Sequence, residues 1–354
     1  MYNIIDLFCG AGGISKGFEM SGFNTKLAID MWNDAVETFN FNHNTDVAIV
    51  KDIHNFKNEE VEEFAKTNNI IGIVGGPPCQ GFSMVGTRDH EDERNSLYME
   101  YARFVDIVKP DFFVIENVKG LLNLKKGFFK KDIIDRFTAL NYNVNYKLLK
   151  ASEHGVPQSR ERVFFIGLKK STFGSLFFKF PKENKNSFIS NQEALSDMPN
   201  LDLGENQYKY KTSPSNEYQR YLRSNELEKI YNNDITNHTK KTKSIIDLVP
   251  DGGGAKDLPE ELYKVRNYNA AFKRMDSKKP STTIDCGHRN YFHYKENRIP
   301  TVRESARIQS FPDDYVFMGS KTSQYKQVGN AVPPLLAKSI ADELMRLLTN
   351  KEGD

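Results

Sequence analysis

The sequence predicts an α/β fold in which a doubly wound, mostly parallel sheet forms a first domain and a smaller, loop-rich domain follows it. Within the first 170 residues, short apolar segments of strand length alternate with longer segments of helical periodicity. After residue 170 this alternation stops, and Asn, Ser and Tyr become frequent. A chain of 354 residues is long enough for both domains.

The elements of the first domain come in the order that parallel strands joined by helices require. Strands are predicted at residues 2–8, 25–30, 70–74, 112–116, 144–149 and 163–168, with one more just before Asp52. Helices are predicted at residues 13–20, 35–42, 97–108 and 128–140. This order predicts the doubly wound sheet.

The remainder of the chain falls into two parts. Residues 171–275 have weak periodicity and a glycine run, but Phe, Tyr, Leu and Ile recur throughout. We therefore expect a folded domain, whose end lies between residue 275 and residue 300, and not a disordered tail. Regular patterns return at residue 301, and residues 334–348 have the periodicity of an amphipathic closing helix.

The composition is that of an ordinary soluble protein, with 38% hydrophobic and 27% charged residues. We find neither an apolar run of membrane-helix length nor a secretion signal. The three cysteines are Cys9, Cys79 and Cys286, which are widely spaced and odd in number. They predict neither a disulfide framework nor a zinc site, and they fit a reducing cytoplasm. A net charge of +2 neither requires nor excludes nucleic acid as a partner.

The most informative stretch is GGPPCQGFS at residues 75–83, which follows the predicted strand at 70–74. Two glycines and two prolines shape the backbone into a defined turn. A thiol that a rigid turn holds at the end of a strand is placed as a nucleophile would be, so Cys79 is a catalytic candidate. The alternative for a lone cysteine is a buried, inert side chain.

A nucleotide-like pocket is predicted at the ends of the first strands. The first strand runs into a glycine-rich turn, CGAGG at residues 9–13, which lets a ligand approach the backbone near a helix. About 20 residues later the second strand ends in Asp30, which is placed to bind ribose hydroxyls. Asp52 and Ile53 follow the probable third strand and could hold an adenine edge. Each carboxylate alone could instead be a surface or capping residue.

Two further charged motifs lie at strand ends. Glu116 ends the strand at 112–116 and could serve as an acid with a raised pKa, or as a helix-capping residue. Arg160 and Arg162 lead into the last strand at alternate positions, so both could reach one anionic or carbonyl target. A surface charge cluster is the alternative interpretation of these arginines.

Together these residues resemble the family of DNA methyltransferases that modify carbon 5 of cytosine, in its bacterial restriction–modification form. Six motifs occur in the family's order: DLFCGAGG at 6–13, GPPCQGFS at 76–83, ENV at 116–118, QSRER at 158–162, RESARIQSFP at 303–312 and QVGNAVPP at 327–334. The resemblance implies that residues 1–170 bind cofactor and catalyse, that 171–275 recognise the target, and that 301–354 return to the catalytic domain.

The resemblance also implies a mechanism. The Cys79 thiolate would attack carbon 6 of the ring, and carbon 5 would then take a methyl group from S-adenosylmethionine. Glu116 would hydrogen-bond ring nitrogen 3, Arg162 would hold the ring oxygen, and Arg160 would support the site. Because a stacked base is out of reach of such an attack, the enzyme would flip it out of the duplex.

Other roles are likewise implied by the resemblance. The cofactor would contact Phe8, Gly10, Gly12, Gly13, Asp30, Met31, Asp52, Ile53, Pro78, Leu97, Asn330, Ala331 and Val332. A loop at residues 80–96 would close over the flipped base, with Gln80, Ser83, Arg88 and Arg94 on the DNA. The expected partners are double-stranded DNA and a cognate restriction endonuclease. We expect a monomer in the bacterial cytoplasm, without a metal or a membrane.

Three alternatives remain at this point. A related branch methylates transfer RNA, but its characteristic Cys-Phe-Thr triplet is absent from this sequence. A DNA-binding regulator built on an inactive methylase would not need an intact set of Cys79, Glu116, Arg160 and Arg162. A dehydrogenase on the same kind of sheet would leave the Pro-Pro-Cys-Gln and Glu-Asn-Val motifs unexplained.

Overall fold

A computed structural model describes residues 2–43, 45–78, 93–225, 227–265, 272–287 and 291–352. The chain forms two compact units. The first comprises Met1–Lys150, Glu161–Lys182 and Leu336–Asp354, and the second comprises Ala151–Arg160 and Glu183–Leu335. The chain therefore passes from one unit to the other after residues 150, 160, 182 and 335, whereas the sequence places the domain divisions near 170 and 301. Among the described residues, no helix has the length and apolar character needed to cross a membrane.

The first unit is built on seven strands with helices between them. The strands are β1 Tyr2–Leu7, β2 Phe23–Asp30, β3 Ala48–Val50, β4 Ile70–Gly75, β5 Phe112–Val118, β6 Tyr142–Lys150 and β7 Glu161–Lys169. The helices are α1 Gly13–Glu19, α2 Asn33–His43, α3 Asn58–Thr67, α4 Glu93–Val108, α5 Phe128–Ala139, α6 Lys170–Phe173 and, after the second unit, most of α13 Pro334–Glu352. The helix α3 was not predicted, because only Val61 and Ala65 in it are buried.

The strand order is β3-β2-β1-β4-β5-β7-β6. The first five strands are parallel, and β7 runs antiparallel to both β5 and β6. This architecture confirms the predicted doubly wound, mostly parallel sheet. Because β1, β2, β4 and β5 are parallel, their carboxyl ends meet at one edge, which we call the active edge.

Close packing at the active edge depends on glycine at the end of β4. A Cβ atom on Gly75 would lie 2.0 Å from the carbonyl oxygen of Leu7 in the neighbouring strand. The strand ends are therefore closer together than any side chain at this position would allow. Tyr101 of α4 ties the next pair of strands together, because its hydroxyl lies 3.0 Å from the carbonyl oxygen of Ile73 and 2.9 Å from that of Val114.

The second unit consists of short helices, loops and a two-stranded sheet. Its elements are α7 Asn191–Leu195, α8 Glu217–Leu222, α9 Lys240–Asp247, α10 Glu260–Val265, β8 Lys273–Arg274, β9 Tyr291–Phe292, α11 Val302–Ile308 and α12 Lys321–Asn330. Buried ion pairs stabilise it, since Arg298 donates to both Glu296 and Glu304 at 2.7–2.9 Å. Arg307 does the same for two further buried carboxylates.

Candidate active site

The turn that leads to the predicted nucleophile begins at the end of β4. Cys79 itself, with Gln80, Ser83 and Arg88, lies outside the described residues, and so does the side chain of Arg94 in the first turn of α4. The turn is described as far as Pro78.

Asn117 holds this turn from the neighbouring strand β5. Its Nδ2 donates to the carbonyl oxygen of Pro77 at 3.0 Å, two residues before Cys79. Its Oδ1 accepts from the backbone N–H of Val118 at 2.8 Å. Only 7% of Asn117 is exposed, so both bonds lie in a largely water-excluded place where an unpaired polar group is costly.

Glu116 and Arg162 meet beside the same turn. The Nε atom of Arg162 lies 2.7 Å from Oε1 of Glu116, and both side chains are largely buried. The other carboxyl oxygen of Glu116 lies against Gly76, where a Cβ atom would be only 2.8 Å from it. The antiparallel pairing of β5 and β7 brings the two charged residues together. Arg162 lies opposite Val118, and Glu116 is two residues before Val118 in the strand, so both charged side chains point to the same face of the sheet.

Arg160 has different neighbours from Arg162. It belongs to the second unit and is 1% exposed. Its guanidinium donates to the carbonyl oxygens of Ile284 at 3.2 Å and Gly329 at 2.8 Å. The described contacts of Arg160 thus fix the backbone of the second unit, and its predicted catalytic role stays a prediction.

The glycine-rich turn after β1 wraps around Asp30. One carboxyl oxygen of Asp30 accepts from the N–H of Gly10 at 2.8 Å, and the other accepts from the N–H of Trp32 at 2.9 Å. Phe8, Gly10 and Gly12 all have left-handed φ values of 62°, 51° and 84°, which glycine adopts most readily. A Cβ atom on Gly10 would meet nothing within 4 Å, so the turn leaves open space on that side.

The other predicted cofactor residues lie in both units. In the first unit, Gly13 and Ile53 are buried, Leu97 is partly buried, and Met31 and Pro78 are exposed. The pKa of Asp52 is lowered because its carboxylate accepts from the backbone N–H and the ring of His54. In the second unit, Ala331 is partly buried and Val332 is buried, while Asn330 accepts from Cys286 Sγ at 2.7 Å.

Asp6 is a buried acid to which the sequence prediction gave no individual role. It is 0% exposed, and Ser15 donates to its Oδ2 at 2.6 Å. Its Oδ1 has no hydrogen-bond partner among the described residues. Burial raises the pKa of Asp6 to about 7, the bond from Ser15 opposes this rise, and nearby Asp30 adds to it. Burial also raises the pKa of Cys9 well above its ordinary value, which makes this thiol a poor nucleophile.

An open glycine turn, a fixed carboxylate and an orphaned buried carboxyl oxygen suit a cofactor that carries hydroxyl and cationic groups. These features therefore fit S-adenosylmethionine, which has a ribose and two positive charges.

Comparison with known proteins identifies the family. Residues 2–346 match the family of C-5 cytosine-specific DNA methylases, and the chain belongs to that family. It is 38% identical to the type II methyltransferase M.DdeI of Desulfomicrobium norvegicum, over 97% of this chain and 88% of that protein. It is 35% identical to the type II methyltransferase M1.HphI of Haemophilus parahaemolyticus, over 98% and 87% of the two chains.

Solved structures agree with this assignment. A protein described as a DNA modification methyltransferase, encoded within a prophage of E. coli, superposes with a TM-score of 0.82 at 27% identity. That comparison covers 99% of this chain and 100% of the other. The Dnmt2 methyltransferase of S. pombe shares the fold, with a TM-score of 0.61 at 17% identity over 99% of both chains.

The protein therefore methylates carbon 5 of cytosine within a specific DNA sequence, with S-adenosylmethionine as the methyl donor. The predicted family, fold class, reaction and cofactor are confirmed. The bond from Asn117 to Pro77 was not predicted from the sequence, although Asn117 belongs to the Glu-Asn-Val motif. That bond depends on the pairing of β4 with β5, which the local pattern does not reveal.

Proposed function

We propose that the protein is the modification methyltransferase of a bacterial restriction–modification system and that it works by covalent catalysis from Cys79 on a flipped cytosine. The observation that carries this proposal is the Glu116–Arg162 pair at 2.7 Å. It stands beside the turn in which Asn117 holds Pro77, two residues before Cys79. The pair lies beside the turn that leads to Cys79, so a carboxyl group and a guanidinium are available next to the segment in which we propose the nucleophile.

Each group answers one demand of the reaction. Carbon 5 of cytosine is a poor nucleophile, so the Cys79 thiolate forms a bond to carbon 6 and pushes electron density onto carbon 5. S-adenosylmethionine supplies the methyl group as an electrophile. Glu116 acts in its protonated form and donates its proton to ring nitrogen 3, which relieves the negative charge that develops there, while Arg162 holds the ring oxygen. Water then takes the carbon-5 proton, and the electron pair of the broken C–H bond forms the ring double bond as the thiolate leaves carbon 6.

We place the cofactor against the glycine-rich turn that follows β1. Asp30 accepts from the ribose hydroxyls, since two backbone N–H groups already fix its orientation. Phe8, which has a left-handed φ of 62° in the turn after β1, stacks on adenine. The further contacts that we propose are Gly10, Gly12, Gly13, Met31, Asp52, Ile53, Pro78, Leu97, Asn330, Ala331 and Val332. Arg160 supports the site by ordering the backbone at Gly329.

Target recognition is assigned to residues 171–275. Asn, Gln, Ser, Tyr and Arg side chains of this segment suit base edges and phosphates. Gln80, Ser83, Arg88 and Arg94 contact DNA from the loop that follows Cys79. Because relatives carry type II methyltransferase names, we further propose a cognate endonuclease that cuts the same sequence. The enzyme acts as a monomer on DNA in the bacterial cytoplasm.

A duplex with 5-fluorocytosine at the target position tests the covalent mechanism. After methyl transfer, carbon 5 carries fluorine in place of a proton, so elimination stops and the protein stays bound through the sulfur of Cys79. We expect a complex that survives denaturing electrophoresis, requires S-adenosylmethionine, and disappears in Cys79→Ser. A wild-type enzyme that methylates the ordinary duplex but forms no such complex would contradict the mechanism.

A further inference from the structure

We propose that residues 119–131, which we call the lysine loop, bind phosphates of the DNA beside the target base. The lysine loop directly follows β5, the strand that carries Glu116. It comprises two short turns, Lys119–Leu122 and Leu124–Gly127, and the first residues of α5. This inference rests on the DNA methylation proposed above. It adds a surface that contacts the DNA backbone and to which the proposed mechanism gives no role.

The position of the loop is set by contacts to the candidate active site. The amino group of Lys119 lies 2.9 Å from the carboxylate of Glu161. The next residue in β7 is Arg162, whose Nε lies 2.7 Å from Glu116. The first residue of the lysine loop therefore lies close to Glu116, the group that we assign to the cytosine ring. A duplex whose base enters this site has its backbone close by.

The charge of the loop suits an anionic partner. It contains five lysines and no acidic residue. These lysines are Lys119, Lys125, Lys126, Lys130 and Lys131. All except the partly buried Lys130 are exposed. Lysine is a flexible point charge that suits phosphates without reading sequence.

The backbone of the loop is unusual at the same place. Lys125 and Lys126 have left-handed φ values of 45° and 56°, and Gly127 follows with 83°. Glycine or asparagine adopts this region more easily than lysine does. Leu121 and Phe129, which are 3% and 7% exposed, anchor the chain on either side. The tight turn thus presents two adjacent amino groups to solvent, on a backbone that the buried anchors hold in place.

An aromatic ring accompanies these charges. Phe128 directly follows the turn and is 58% exposed, although burial in the core is the usual state of a phenylalanine. A ring next to lysines can pack on the sugars of a nucleic-acid backbone while the amino groups bind the phosphates. The chemistry of the surface therefore favours a sugar–phosphate backbone over an acidic protein.

The salt dependence of DNA binding tests the proposal. In the full chain, Lys125→Gln with Lys126→Gln removes two charges. Each phosphate contact contributes about 0.9 to the slope of log K against log salt, so we expect the slope to become shallower by about 1.8. The affinity of the variant for the cognate duplex and its affinity for an unrelated duplex should fall by the same factor. The difference from wild type should shrink as the salt concentration rises.

The matched control is Lys66→Gln with Lys109→Gln. Lys66 and Lys109 are also exposed, and they precede β4 and β5, at the edge opposite the active edge. One of the two control lysines, Lys109, also has a left-handed φ, of 49°. We expect the control to keep the wild-type slope.

Two outcomes would overturn the proposal. One is a loop variant whose slope equals that of wild type or of the control. The other is a loss of affinity confined to the cognate duplex, which would mean that the loop reads bases. Failure of the proposed covalent mechanism would give a different result from failure of this proposal. In that case the salt slope of the loop variant would still be shallower than that of wild type, but wild type would form no covalent complex with the 5-fluorocytosine duplex.

Discussion

Replacing Asn117 by alanine tests how the nucleophile is positioned. The substitution removes the bond to the Pro77 carbonyl at 3.0 Å and the bond to the Val118 N–H at 2.8 Å. Neither bond involves a group that touches the ring or the cofactor in our mechanism. Asn117 is therefore a positioning residue, and its loss should act through the turn that carries Cys79.

The magnitude follows from burial. An unsatisfied polar group in a buried place costs about 1–3 kcal/mol, and Asn117 is only 7% exposed. We expect the free energy of unfolding to fall by about that amount. A displacement of the nucleophile by about 1 Å costs on the order of 100-fold in rate, so the single-turnover rate of methyl transfer should fall by about 10- to 100-fold. The affinity for cofactor should change little.

The control is Asn143→Ala. Asn143 is also 7% exposed, and it also donates to backbone carbonyls of the same unit, those of Gly174 and Leu176. Denaturant unfolding and single-turnover transfer of a radiolabelled methyl group should be measured for both variants. We expect similar losses of stability but a slower reaction only for Asn117→Ala. Equal rates in the two variants would refute the positioning role.

Three further predictions concern other parts of the protein. Glu116→Gln should lower the single-turnover rate by about 100- to 10,000-fold, as measured by rapid quench, and should change the affinity for DNA little. A loss of affinity at an unchanged rate would instead assign Glu116 a structural role. Burial lowers the pKa of His293 to about 3, so the unfolded chain binds an extra proton below about pH 6.5. The contribution of His293 to stability should therefore fall by about 2 kcal/mol from pH 7 to pH 5. Asp6, whose raised pKa of about 7 acts in the opposite direction, is common to wild type and His293→Gln, so denaturant titrations should show the stability of wild type falling by about 2 kcal/mol relative to that variant; an equal change in both would contradict the neutral, buried state. Exchanging residues 171–275 for those of a relative should move methylation to the relative's sequence; a folded chimera that still modifies the original site would contradict our assignment of recognition.

The sheet could be predicted because its signals are local. Apolar segments such as residues 70–74 end in glycine or proline, and each strand is bounded within a few residues. Once the strands are taken as parallel, their carboxyl ends must share an edge. This places Glu116 and the turn before Cys79 at the same edge of the sheet, although the pairing of β4 with β5 that makes them neighbours is not specified by the local pattern.

The remaining features depend on pairings between distant parts of the chain. The position of β7 between β5 and β6 decides that Arg162 meets Glu116, and no local pattern specifies it. The same holds for Arg160, whose partners come more than 120 residues later in the chain. The second unit is also hard to predict, since its helices are short and buried ion pairs, such as those of Arg298, stabilise it.

Mapping 5-methylcytosine across a genome tests the central claim most directly. The full chain should be expressed in a bacterial host without cytosine methylation, and its DNA and transfer RNA should both be sequenced by a method that detects 5-methylcytosine. We predict that one short sequence carries 5-methylcytosine at nearly every occurrence in the DNA and that transfer RNA is unchanged. Modified transfer RNA with unmodified DNA, or DNA methylation without a common sequence, would contradict the account.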